Sequence, residues 1–274
     1  MKQAATTGLD RLDAQMLLLH ALGRSPHDRA WLIAHDDDPL SAESATRWQT
    51  LLQRRQTGEP VAYLVGEKEF GGLYLQVDAR VLVPRPDTEV LVEWALDALP
   101  APGGSAQSSR LLDLGTGSGA IALTIASRCP GVQVTATDAS ADALAVARAN
   151  AQRLCLPVRF AHGVWLAAVP GERFDVIASN PPYIAEGDPH LAALTHEPMT
   201  ALTAGPDGLD DIRRIVTQAP EALHTGGWLL LEHGHDQASD VRELLLSHGF
   251  ESVCSRTDLA GIERCSGGQW QGLR

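Results

Sequence analysis

The stretch Arg110-Leu111-Leu112-Asp113-Leu114 followed by Gly115-Thr116-Gly117-Ser118-Gly119 restricts the fold of this chain more than any other. Arg110 to Leu114 reads as a strand. The glycines then let the backbone turn sharply and approach a ligand that a side chain would exclude. Ser118 to Arg128 reads as a helix, and from there strand and helix patterns alternate, the sign of a parallel sheet flanked by helices. Further strands are predicted at Gln133 to Asp138, Val158 to Ala161, Phe174 to Ala178 and Trp228 to Glu232. Helices are predicted at Ser140 to Leu154, with Ser140 as cap, at Asp210 to Ala222 and at Gln237 to His248. Ser252 to Thr257 and Ile262 to Trp270 are closing strands with too little sequence between them for a helix, so they pair antiparallel.

Upstream the character changes. Leu12, Met16 and Leu19 recur at helical spacing between Leu9 and Leu22, and Gly23 is a stop. A second helix is expected from Ser41 to Thr57, capped by Ser41, with Glu43 in its first turn and Gly58 after its end. Asp36-Asp37-Asp38-Pro39 between them is a solvated loop. Val61, Tyr63 and Val65, then Gly71-Gly72, then Leu73, Leu75 and Val77 alternate as a hairpin does. Pro84-Arg85-Pro86-Asp87-Thr88-Glu89 is a stiff lead-in to an amphipathic helix carrying Val90, Leu91, Trp94 and Leu96. Pro100 to Ser109 reads as a flexible connector. The expected organisation of the 274 residues is a small helical domain over 1–58, a linking hairpin over 59–83 and an α/β domain over 84–274.

A formal net charge of -12 argues against general affinity for a nucleic acid backbone, which needs Lys and Arg to displace counterions. Cys129, Cys155, Cys254 and Cys265 form no C-x-x-C pair, so reduced thiols in a cytosolic protein are expected. The opening residues lack the apolar core of a signal peptide, and no later apolar run reaches membrane-spanning length.

Two segments carry chemistry. Asp138 ends the strand after the glycine turn, where an acid accepts hydrogen bonds from ribose hydroxyls in nucleotide folds. Gly115, Gly117 and Ala120 also satisfy the relaxed dinucleotide pattern G-x-G-x-x-G/A, so this loop alone admits NAD. Asp113 favours S-adenosylmethionine instead, because an acid before the turn suits a cationic amino acid moiety and repels a pyrophosphate. The second segment is Asn180-Pro181-Pro182-Tyr183. Two prolines end a buried strand abruptly and hold the residues before them extended. The Asn180 oxygen and the Pro181 carbonyl are two acceptors, an amide or exocyclic amine offers two donors, and Tyr183 adds a flat face. Such a corner suits methyl transfer to nitrogen and has no role in hydride transfer.

Other patterns are weaker. His233-Gly234-His235 with Asp236 lacks the further ligands of a metal site, so no metal is expected. Thr116 stands where G-x-S-x-G requires its first glycine, so Ser118 is not a hydrolase nucleophile. Gly267-Gly268-Gln269 reads as part of the closing strand. Arg85 and Glu89 either position a substrate or pair with each other.

In this order, Glu59 to Tyr63, Val83 to Glu89, Asp113 to Ala122, Asn180 to Ile184, Glu197-Pro198 and Leu230-Leu231-Glu232-His233-Gly234 resemble the HemK-type peptide chain release factor glutamine methyltransferases. The resemblance spans nearly the whole chain, is weakest in the first 50 residues, and is most specific at Pro84 to Glu89. It implies a helical N-terminal substrate-binding domain and a seven-stranded, Rossmann-like methyltransferase domain. The implied activity is methylation, by S-adenosyl-L-methionine, of the side-chain amide of the glutamine in the Gly-Gly-Gln tripeptide of release factors. The implied partner is a release factor, with no stable nucleic acid, no membrane and a monomeric enzyme. Cofactor positions carry over to Gly115, Thr116, Gly117, Ser118, Gly119, Asp138, Trp165 and Asn180, beside Asp113. Substrate positions carry over to Asn180, Pro181, Pro182 and Tyr183, of which Asn180, Pro181 and Tyr183 are the candidate catalytic residues. One departure stands out: many relatives carry an acid just before the Trp165 position, and this chain has Val164. Trp165 is left to stack on adenine.

The same corner occurs in adenine amino-methyltransferases and in ribosomal-protein glutamine methyltransferases. The charge and the lack of a basic, aromatic-rich segment weigh against a nucleic acid substrate. A non-catalytic module that binds cofactor and holds translation factors would give binding without methylated product.

Overall fold

The computed structural model describes residues 9–100 and 108–272. The connector expected over 100–109 lies mostly outside the described residues.

Four helices precede the first strand among the described residues: α1 (Arg11–Ala21), α2 (Arg29–Ala34), α3 (Ala42–Gln56) and α4 (Val61–Val65). They pack around Leu17, Leu19, Leu32, Trp48, Leu52 and Leu64. The Ser41 hydroxyl accepts the Ser44 N–H at 3.1 Å, and Gly58 at φ +95° follows the end of α3, as the cap and stop residues predict. The short α2 was not read from the sequence; Asp28 caps it by accepting from Trp31 N at 3.2 Å.

The expected strand at 61–65 is instead the helix α4. Over five residues, alternation and helical spacing share positions, so Val61, Tyr63 and Val65 did not discriminate. Tertiary contact decides: Leu64 and Val65 join the α1 and α3 cluster, Ala62 turns toward Val77 and Val81, and Gly66 at φ +82° ends the turn. The hairpin begins later, as β1 (Glu67–Phe70) and β2 (Leu73–Gln76). Its Gly71-Gly72 turn touches the next layer so closely that a Cβ on Gly71 would lie 2.5 Å from Thr124 Cγ2.

The main sheet comprises β3 (Arg110–Leu114), β4 (Gln133–Asp138), β5 (Val158–His162), β6 (Phe174–Ser179), β7 (Leu223–Glu232), β8 (Glu251–Thr257) and β9 (Glu263–Trp270). Their order is β5-β4-β3-β6-β7-β9-β8, with β9 antiparallel to both β7 and β8 and the remaining pairs parallel. Consecutive strand residues divide between two cores, as a pleated sheet requires. Leu111, Val176 and Leu230 face α5 (Thr88–Ala98) and α6 (Ala120–Arg128). Leu112, Ile177 and Leu229 face α8 (Asp210–Ala222) and α9 (Ala238–Ser247). The helix α7 (Ala141–Leu154) follows β4.

The strand order runs outward in opposite directions from β3 and β6. That reversal opens a crevice beyond their carboxyl ends, the place where open α/β sheets bind ligands. Leu114 pairs with Ser179 there, so the glycine turn after β3 and Asn180 after β6 are neighbours.

Candidate active site

The turn after β3 is held by its own backbone. Gly115 N and Thr116 N both donate to Thr137 O, at 2.9 and 2.8 Å, and Gly115 adopts φ +72°. Gly117 N donates to Asp138 Oδ2 at 2.9 Å, and Ser140 N donates to Asp138 Oδ1 at 2.8 Å. Each carboxylate oxygen has a second lone pair, so Asp138 still has acceptor capacity toward the crevice. Burial raises its carboxyl above the ordinary value, against the pull of those backbone donors.

The crevice is a cavity of about 460 Å³, within the size range of small-molecule sites. Gly115, Thr116, Gly117, Ser118 and Asp138 form one wall; Trp165, Asn180 and Pro182 close it. Trp165 adopts φ +48° and opens a single 3-10 turn, Trp165–Ala168. Its Nε1 donates to Asp211 Oδ1 at 3.2 Å, and its ring lies 3.4 Å from where a Gly115 Cβ would stand. A side chain at Gly115 would therefore fill the space between the turn and the indole. Val164, at the position where the family resemblance leads to an acid being expected, is exposed at the cavity rim, whereas Asp211 at the start of α8 supplies a carboxylate to the cavity lining.

Four expected site residues lie off the cavity wall. Asp113 is fully buried behind the turn: its Oδ2 accepts from Thr116 Oγ1 at 2.6 Å and Ala122 N at 3.2 Å, and its Oδ1 has no partner. Burial pushes it up to about 7, so its place makes it a brace of the turn and not a surface charge facing the cavity. Gly119 caps α6 at φ +89°, where a Cβ would meet Leu123 Cδ1 at 2.8 Å; its need is helix packing. Pro181 is buried outside the lining. Tyr183 turns its phenol toward Glu232 and away from the cavity, and burial pushes its ionisation well above the ordinary value. Trp165 is the aromatic side chain that lines this cavity.

Several cavity residues were not read from the sequence as binding groups: Arg80, Thr88, Asp211 and Arg214. Arg85 also lines it, and it pairs with Glu197 and not with Glu89. The Glu197 carboxylate, 5% exposed, accepts from Arg85 Nη2 at 2.5 Å and Val83 N at 3.0 Å, so two motifs far apart in sequence form one contact. His233 is buried with Nε2 2.8 Å from Ser266 Oγ, and among the described residues no group of three or more His, Cys, Asp or Glu is disposed to hold a metal ion. No described helix is long and apolar enough to cross a membrane.

A seven-stranded sheet of this order, with a glycine turn, an acidic strand end and an aromatic wall at its switch point, defines a methyltransferase of the Rossmann-like class. Residues 88–205 match the family description "Methyltransferase small domain" and residues 2–66 match "PrmC N-terminal domain". The chain is 54% identical over 267 residues to the release factor glutamine methyltransferase of Bordetella pertussis, covering 96% of each chain. It is 51% identical over 273 residues to that of Burkholderia pseudomallei, covering 96% of this chain and 93% of the relative. A crystal structure of a methyltransferase from Pyrococcus furiosus shares the fold, with a TM-score of 0.56 and 22% identity over 81% of this chain and all of that one. The chain belongs to the release factor glutamine methyltransferase family.

Proposed function

We propose that this protein transfers a methyl group from S-adenosyl-L-methionine to the side-chain amide nitrogen of the glutamine in the Gly-Gly-Gln tripeptide of peptide chain release factors. The observation that carries the reading is the juxtaposition of Asn180 with the glycine turn across the β3–β6 switch point, in a chain of this family.

The cavity fits the cofactor. Asp138 has acceptor capacity for ribose hydroxyls, the turn presents bare backbone at Gly115 where a Cβ would fill the space in front of Trp165, and the indole provides a stacking face for adenine. Arg80, Arg85 and Arg214 supply cationic groups for a carboxylate. When bound, the cofactor supplies an electrophilic methyl group on a sulfonium. Asn180 contributes an acceptor: its Nδ2 donates to Thr88 Oγ1 at 3.2 Å, which leaves Oδ1 for the incoming amide. The expected second acceptor, the Pro181 carbonyl, belongs to a residue outside the cavity lining, so Asn180 Oδ1 carries the reading, and accepting from the amide it favours a nitrogen less delocalised into its carbonyl. Catalysis is then positioning and differential stabilisation of that geometry, with no general base required before attack. The neutral Tyr183 phenol is not a base.

The helical unit over 1–58 serves substrate binding, the segment over 59–83 links it to the methyltransferase unit over 84–274, and the enzyme acts on translation factors in the cytoplasm as a monomer. The test is Asn180→Ala assayed by mass spectrometry on a purified release factor. Methylation is expected to fall by at least ~100-fold, with cofactor affinity by calorimetry nearly unchanged. Near-wild-type turnover refutes the assignment.

A further inference from the structure

The Glu232 carboxyl, one strand away from Asn180, has no part in the chemistry described above. It ends β7, is 1% exposed, and its Oε2 has no hydrogen-bond partner. A buried carboxylate oxygen left without a partner is costly, so the groups that reach the rest of this carboxyl matter. Two hydroxyls bear on it, those of Thr88 and Tyr183. Asp87 and Arg264 are the charged groups that face it, the Cys265 thiol lies across the β7–β9 ladder, and Arg264 is itself engaged by Asp87 at 3.3 Å and Asp258 at 3.0 Å.

Thr88 is the connection. Its hydroxyl, 4% exposed as a residue, accepts the Asn180 Nδ2–H at 3.2 Å and lies beside the Glu232 carboxyl. A hydroxyl has one proton to give. With its oxygen accepting from Asn180, that proton goes to the ionised Glu232, which can only accept. The chain of donors therefore runs one way, from Asn180 through Thr88 to Glu232, and its direction is set by the group at the end that has no proton.

We propose that Glu232 is a positioning residue that, through Thr88, holds the Asn180 carboxamide with its oxygen turned to the cavity and its nitrogen turned away. The inference rests on the reading of Asn180 as the acceptor for a glutamine amide. A carboxamide is nearly symmetric in shape, so packing alone does not distinguish its two ends; a directional hydrogen-bond partner does. A protonated Glu232 reverses the direction: it donates to Thr88, Thr88 donates to the Asn180 oxygen, and the carboxamide presents a donor to a substrate group that is also a donor. Burial pushes the Glu232 carboxyl up to about 7, so the reversal falls in an accessible pH range. Asp113 ionises in the same range, and the comparison with Glu232 variants separates the two.

The test measures methyl transfer to a purified release factor, cofactor affinity and thermal melting for wild type, Glu232→Gln, Thr88→Val and Thr88→Ser across the neutral range. For the wild type, kcat is expected to fall on the acid side with one ionisation near neutrality. Glu232→Gln and Thr88→Val are expected to lose about tenfold in kcat and the acid limb with it, at unchanged cofactor affinity. Thr88→Ser keeps the hydroxyl and is expected to keep the limb. Thr88→Val leaves Glu232 in place, so it carries the test even where Glu232→Gln folds poorly. Variants with the wild-type kcat and pH profile, or with only a lowered melting temperature, overturn the inference and leave the methyltransferase reading standing. Absence of transfer by the wild type overturns that reading and the inference together.

Discussion

Asn150 in α7 is fully buried and ties the hairpin to the cofactor turn, so its replacement should be felt at both places. Its Oδ1 accepts Gln76 N at 2.7 Å, and its Nδ2 donates to Gln76 O at 2.9 Å and Ser118 O at 3.0 Å. Replacing it with leucine keeps the volume and removes all three bonds. At a net contribution of about 1 kcal/mol each, with roughly 1 kcal/mol more for the buried Ser118 carbonyl left without this partner, the loss is about 4 kcal/mol. For a chain of this size that corresponds to a fall in melting temperature on the order of 10 °C. Urea unfolding should show a lowered midpoint at unchanged slope, which separates lost stability from a changed unfolded state. Cofactor affinity should fall as well, because Ser118 belongs to the cavity wall. Asn150→Asp is expected to be at least as damaging: it keeps the acceptor for Gln76 N and sets carboxylate oxygen against two carbonyls. A leucine variant within about 0.5 kcal/mol of wild type, binding cofactor normally, would refute this account of the hairpin and the turn as coupled.

Glu197→Ala should destabilise by about 2 kcal/mol, since it leaves Val83 N–H without its acceptor, and should weaken cofactor binding several-fold by releasing Arg85; thermal melts and calorimetry check both, and unchanged affinity would show that Arg85 needs no such support. Asp113 predicts a pH effect of definite sign. Its folded-state value of about 7 lies above the ordinary 3.8, so between those values the native state holds more protons than the unfolded one, and this group's contribution to stability declines as pH rises through that window. Relative to wild type, Asp113→Asn should therefore gain in urea midpoint between about pH 5 and about pH 8; a constant difference would mean that the carboxyl titrates normally.

How much could be read in advance depended on the range of the interaction concerned. The β3, β4 and β6 strands, the Ser41 and Ser140 caps and the antiparallel close of the sheet were legible, because apolar patterning, capping and connection length act within a few residues. That the glycine turn, Asp138 and Asn180 stand at strand ends was legible for the same reason, since glycine, acid and proline signals act locally; that Pro181 and Tyr183 lie off the cavity was not. Residues 61–65 were misread, and the short α2 was missed, because over so few residues two periodicities coincide and burial against a remote partner decides between them. Arg85 was left either to position a substrate or to pair with its sequence neighbour Glu89; the structure puts it on the cavity wall with Glu197 as its partner.

Sequence by itself determined that a parallel sheet would form, that a glycine turn and an acid would sit at successive strand ends, and that Asn180 would stand where a strand is cut short. Tertiary structure alone decided that β3 and β6 would be neighbours, and hence that the turn and Asn180 would share a cavity. It also set Asp113 behind the turn, Tyr183 against Glu232 and Asn150 beneath Ser118. The physical reason is that a side chain's residue type states which bonds it can make, whereas strand order and packing decide which partners come within reach and which way their donors run.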